Sequence, residues 1–164
     1  MTPQFQPEQA RKIAEAFAEA GVDYLFIGKS AAVLMGYPAV TQDVDVFAAR
    51  THENCARIVN ALRQIEFEIS APLEQSILRG DDFVQIKSGP FDLDIIFAPD
   101  GIASFAEAKS RSIILDGFHL ASLRDIIASK RASGRDKDLI DLHYLERFRQ
   151  EYEKKNPQPL KSAA

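Results

Sequence analysis

The chain has 164 residues, 46% of them hydrophobic and 27% charged, with a formal charge of -4. That composition suits one compact domain with a sizeable core and gives no global pull toward nucleic acid or membrane. A single cysteine, Cys55, excludes a disulfide framework and a zinc cluster, and is read as core. No apolar segment approaches the ~20 residues of a bilayer span, and MTPQFQPEQ lacks the pattern of a signal peptide. A cytoplasmic protein is the expectation, organised as one domain over 1–155 with helices from about 122 and a disordered tail over 156–164.

Pro7 and Glu8 open a helix with Ile13 and Phe17 on its apolar face, and Gly21 stops it. The next stretch, YLFIGKSAAVLMGYPAVTQDVDVF from Tyr24 to Phe47, organises the chain. It predicts a buried strand at Tyr24 to Ile27, a turn at Gly28-Lys29-Ser30, a helix from Ala31 to Met35, and a strand carrying Asp43 and Asp45. Side chains at i and i+2 share a strand face, so the two acids project together while Val44 and Val46 face the core. Adjacent carboxylates repel and resist burial without a positive charge between them. A hard divalent cation such as Mg2+ takes such oxygen ligands and leaves sites for phosphate oxygens.

Thr51 caps a helix to about Gln64 with Cys55, Ile58, Val59 and Leu62 inward. Phe67 to Ile69 reads as a short strand. Phe83 to Lys87 and Phe91 to Phe97 read as paired strands across the Ser88-Gly89-Pro90 turn, with Asp92 and Asp94 sharing a face of the second. A short helix around Ser104 to Lys109 leads to a hairpin of Ile113 to Leu115 and Phe118 to Leu120. Ser122 and Asp125 resemble a capping box for a helix with Leu123, Ile126 and Ile127 inward and Lys130 and Arg131 near its end. Ser133-Gly134 ends it, and a last helix from Asp136 carries Leu139, Leu142, Leu145 and Phe148 on one stripe. His52, His119 and His143 share no ligand spacing, and no internal repeat is present.

Asp43, Asp45 and a third acid on a neighbouring strand, Asp94 or Asp92, suit a site for Mg2+ or Mn2+ that clamps an attacking oxygen and a leaving pyrophosphate. Gly28, Lys29 and Ser30 offer backbone N–H groups to phosphates. A P-loop is excluded, because the residues before Gly28 form an apolar strand rather than a loop.

These residues resemble the nucleotidyltransferase fold family of the DNA polymerase β type, and within it small bacterial members related to abortive-infection nucleotidyltransferase toxins. The likeness rests on the strand–Gly–helix turn, on GYPAVTQDVDVF with twelve residues between Ser30 and Asp43, on LDIIFAP, and on SLRDIIASKRASGRDKDLIDLHYL. It implies an α+β fold, a mixed β-sheet flanked by helices with a C-terminal helical pair. It implies metal-dependent transfer of an NMP group from an NTP to an acceptor hydroxyl, of RNA, protein or a small molecule, with release of pyrophosphate. It favours Asp94 as third acid and adds Lys130, Arg131, Arg135, Lys137 and Asp138, of which the four basic residues are otherwise read as cations at helix ends. The small size leaves room for a partner protein or a homodimer to complete the acceptor site. Lys29 departs from the family, which has Gly or Ser there. It either meets phosphates as a point charge or obstructs them, leaving a degenerate binding module of a toxin–antitoxin pair.

Overall fold

The computed structural model describes residues 4–157. Most of the expected disordered tail lies outside that range. Of its first residues, Asn156 is tied to the preceding helix, with its backbone N–H and side-chain amide both donating to the Tyr152 carbonyl.

The elements run α1 (Pro7–Ala20), β1 (Tyr24–Phe26), α2 (Gly28–Leu34), β2 (Val44–Ala48), α3 (His52–Gln64), α4 (Ala71–Arg79), β3 (Phe83–Ile86), β4 (Leu93–Ile96), α5 (Phe105–Arg111), β5 (Ile113–Leu115), β6 (Phe118–Leu120), α6 (Leu123–Ser133) and α7 (Asp136–Lys155). The strands form one sheet in the order β3-β4-β2-β1-β6-β5. It is mixed: β2 runs parallel to β4 and β1 to β6, while the other neighbours are antiparallel. Helices α1, α3 and α4 pack side by side, and α2 packs on β2 and on the α6–α7 pair through α6. This is the expected mixed sheet flanked by helices with a C-terminal helical pair. Among the described residues no helix is long and apolar enough to cross a membrane.

The central strands are short and buried. Val44, Val46, Leu93 and Ile95 are fully enclosed, so a one-residue slip of β2 on β4 would turn apolar side chains out and carboxylates in. Helix α3 buries Cys55, Ile58, Val59 and Leu62 as its spacing predicts. Asn54 on its first turn is also buried. Its side chain accepts from the Asp23 N–H at 2.7 Å and donates to the carbonyls of Asp23 at 3.0 Å and Ala49 at 2.9 Å. That amide holds together the chain entering β1 and leaving β2.

Three expectations are corrected and one helix is new. Phe67 to Ile69 is not a strand. Phe67 packs edge-on against Phe91, and Glu68 makes single backbone and hydroxyl bonds with Ser88 rather than a ladder. Helix α4 was not expected, yet Ser70 caps it by accepting from the Leu73 N–H, with Pro72 in the first turn. Helix α2 begins at Gly28 rather than after Ser30. On α7, Leu139 is 53% exposed. The inward stripe is Asp138, Leu142 and Leu145, because a buried ion-pair network anchors Asp138.

Replacing Asn54 with Ala removes three backbone partners at once and leaves them in a buried place. We expect a loss of about 2–4 kcal/mol in urea unfolding, with the native spectrum retained.

Candidate active site

The parallel register of β2 and β4 sets Asp45 directly beside Asp94, and β3 adds Gln85 beyond. Asp94 lies within β4 and is 6% exposed. Asp43 and Asp92 each sit just before their strands, where the Val44 N–H donates to the Asp92 carbonyl.

The turn into α2 holds Asp45 from below. The Ile27 N–H donates to the Asp45 carbonyl at 3.0 Å. The Asp45 N–H donates to Ser30 Oγ at 3.2 Å, and that hydroxyl donates to the Ile27 carbonyl at 3.4 Å. Ser30 is fully buried. Its hydroxyl is therefore turned inward and engaged, and it fastens β1 to β2 rather than facing the pocket. Gly28 has φ of 73°, and a Cβ there would come within 2.6 Å of Asp45 Oδ2. Glycine is required twice over, by backbone and by the carboxyl beside it.

Burial pushes the Asp45 carboxyl well above the usual carboxylate range, helped by Asp94 and Asp43, with Lys130 pulling the other way. Burial likewise pushes Asp94 up to about 6, with the Asp43 charge adding to it. Each of these carboxyls thus resists ionisation beside the other. Asp94 Oδ1 is buried and has no hydrogen-bond partner. Among the described residues, no group of three or more His, Cys, Asp and Glu side chains stands ready-made as a metal cluster. The acids converge as a tight pair with Asp43 acting on both.

Facing this acidic floor is a basic wall from α2, α6 and α7. Lys29 Nζ lies 3.3 Å from Asp141. Lys130 Nζ lies 3.1 Å from Asp138 and 3.5 Å from Asp141. Asp138 also accepts from Arg135 and from the Ser133 hydroxyl, each at 2.7 Å. Burial opposes its ionisation, but the bonds from Ser133, Arg135 and Lys130 outweigh that and hold it at about 2. Floor and wall enclose a cavity of about 630 Å3, within the range of small-ligand sites.

Of the residues singled out in the sequence, Gly28, Lys29, Asp43, Asp45, Asp94, Lys130, Arg135 and Lys137 line this cavity. Asp92 and Ser30 do not, and Arg131 is turned away to pair with Glu146 at 2.9 Å. Asp141 and Gln85 were missed. Asp141 stands three residues from Asp138 on one side of a helix, a spacing visible in the sequence. Gln85 gave no signal, because its role comes only from the register of β3 on β4.

No family model matches the chain, and no curated protein matches it. Solved structures with the same fold exist. JHP933 from Helicobacter pylori and a candidate nucleotidyltransferase from H. pylori each align with a TM-score of 0.54 at 19% identity, over 88% of this chain and 66% and 68% of theirs. TM1012, a candidate nucleotidyltransferase from Thermotoga maritima, aligns with a TM-score of 0.51 at 13% identity, over 92% of this chain and 96% of its own. Identities this low show the fold alone. It is the mixed sheet flanked by helices of those nucleotidyltransferase-type structures, and the chain spans 66% of the length of JHP933.

Two expectations follow from the carboxyl pair. A carboxyl whose folded pKa is raised stabilises the fold fully below its unfolded pKa, and loses that contribution as pH rises through the folded value. In chelator, stability should therefore fall between pH 4 and 7, by about 2–3 kcal/mol for Asp94, and Asp94→Asn should flatten the profile. Gly28→Ala forces a left-handed alanine against Asp45 and should cost at least about 1–2 kcal/mol in the same unfolding assay.

Proposed function

We propose that the chain is a nucleotidyltransferase that moves an NMP group from an NTP to an acceptor hydroxyl and releases pyrophosphate. The observation that carries this reading is the Asp45–Asp94 pair facing Lys29 and Lys130 across one cavity. Acids that resist joint ionisation on one wall and lysines on the other form a place for phosphates and the cation that accompanies them. The shared fold of the H. pylori and T. maritima structures supports the same class.

The orphaned Asp94 Oδ1 is the feature that suits a cation. A desolvated carboxylate oxygen without a donor lacks the positive charge that balances it. Asp43, Asp45 and Asp94 would hold Mg2+ or Mn2+, which when bound supplies charge to the phosphate oxygens and lowers the barrier to displacement. Lys29 and Lys130 would bind the two outer phosphates, and Gly28 would let the chain come close to them. Asp138, kept ionised, would hold Lys130 in place for that contact. Asp94, ionised once the cation balances its charge, would stand beside the attacking hydroxyl to accept its proton.

Lys29 bears on one other reading. Its charge is already met by Asp141, as a degenerate nucleotide site in a partner-binding module, including one half of a toxin–antitoxin pair, would have it. The two readings separate in one experiment. Each α-labelled NTP is incubated with Mg2+ and RNA, protein or small-molecule acceptors, and label transfer and pyrophosphate are followed. Wild type should transfer label, and Asp45→Asn should fall to the uncatalysed rate. Nucleotide at ~100 Kd should raise wild-type stability by about 2.7 kcal/mol, in a Mg2+-dependent way. Transfer undiminished in Asp45→Asn would sink the assignment, and neither transfer nor a nucleotide shift in the wild type would favour the binding module.

A further inference from the structure

The cavity extends past the carboxyls to the β3 edge of the sheet, and that extension bears on the acceptor, provided the nucleotidyl-transfer reading holds. Nucleotidyl transfer places the attacking and leaving oxygens in line on opposite sides of phosphorus. With the leaving phosphates against Lys29 and Lys130, the hydroxyl enters from beyond Asp45. The sheet order puts β4 and then β3 on that side.

Two cross-strand rows lie on this face. One is Asp45, Asp94 and Gln85; the next, two residues along each strand, is Phe47, Ile96 and Phe83. The second row opens progressively toward solvent. Phe47 is buried edge-on against Phe105, Ile96 is half-buried, and Phe83 is 55% exposed. Val40, 62% exposed, lines the same cavity as Phe83, Ile96 and Gln85. Among the described residues no aromatic ring or cation stacks on Phe83. An exposed phenylalanine on an edge strand is a liability for the fold itself, so its place at the cavity mouth points to a ligand.

We propose that Phe83 sets acceptor specificity by stacking a planar heterocycle whose attached sugar carries the attacking hydroxyl, so that the acceptor is nucleoside-like. The two rows are about 7 Å apart along the strands, a gap that a ribose spans between its base and its hydroxyl. Seating the base on Phe83 and Ile96 brings the hydroxyl over Asp94. Gln85, neighbouring both, offers one acceptor and two donors to ring heteroatoms or to the sugar. A tyrosine acceptor carries its hydroxyl on the ring and cannot place the ring on Phe83 and the hydroxyl at Asp94 together. A serine or glycerol hydroxyl would leave Phe83 uncovered. A free nucleoside and the terminal nucleoside of an RNA present the same chemistry.

The test uses the full chain with adenosine, uridine and a short RNA as acceptors, against glycerol and a tyrosine peptide. Two readouts are taken: label transfer from NTP with Mg2+, and the fluorine NMR spectrum of protein carrying fluorinated phenylalanine, with the Phe83 signal assigned by Phe83→Leu. Nucleosides should shift the Phe83 signal and accept label. Phe83→Ala should raise the acceptor KM by roughly 10-fold with the NTP KM unchanged, and Phe83→Tyr should restore it. Transfer to RNA alone would identify the source as a polynucleotide end, and transfer to adenosine or uridine as a free nucleoside. Nucleosides that leave Phe83 unmoved, equal effects of Phe83→Ala on both KM values, or preferred transfer to glycerol or the tyrosine peptide would overturn the proposal. Transfer with Phe83 unmoved removes the stacking site and leaves nucleotidyl transfer standing. A Phe83 shift without transfer to any acceptor does the reverse.

Discussion

Everything in this molecule turns on two carboxyls that the core forces together. Asp45 and Asp94 are paired residues of adjacent parallel strands. The register that pairs them is locked by Val44, Val46, Leu93 and Ile95 on the opposite face. Sliding either strand by one residue would turn its own two apolar side chains, Val44 and Val46 or Leu93 and Ile95, out of the core, at ~1.5–3 kcal/mol each. The carboxyls meet that constraint by resisting joint ionisation, which relieves most of their repulsion. Hydrophobic packing on one face of the sheet therefore sustains an electrostatically unfavourable arrangement on the other.

The remainder of the site manages that charge without cancelling it. Lys130 is close enough to favour ionised Asp45, yet its ammonium is taken up by Asp138 and shared with Asp141. A lysine resting directly on Asp45 would neutralise the pair and fill the cavity. Buried Asp138, bonded by three donors, keeps that lysine on the far wall. The outcome is two walls of opposite sign with open space between them, which suits a ligand carrying both negative phosphates and an accompanying cation.

How much of this could be read from the sequence varies with the range of the interactions. Period-two alternation in VDVF and LDII, and the cap residues Thr51, Ser104 and Ser122, are local signals, and strands and helices stand where they pointed. Helix α4 escaped although Leu73 and Ile77 share its inward face and Ser70, Pro72 and Gly80 mark both its ends, because Ile77 alone on it is fully buried. Leu139 was placed inward because apolar spacing was followed, when a charged residue, Asp138, sets the inward face of α7. Within the site, the acids were visible as residue types, but the choice of Asp94 over Asp92 needed a family likeness. The inward turn of Ser30, the partner of Lys29 and the place of Gln85 depend on contacts between distant elements, and no local pattern encodes them.

The ion pair between Lys29 and Asp141 joins residues 112 positions apart. A ribosome therefore releases Lys29 and the acidic strands well before α6 and α7, which complete the wall that faces them. Until α6 and α7 emerge, Lys29 lacks Asp141 and the acid pair lacks the charge of Lys130. The sheet has its apolar face to hold it meanwhile, but the cavity has only one wall. Closure of the cavity therefore waits on α6 and α7, however well the sheet has already formed.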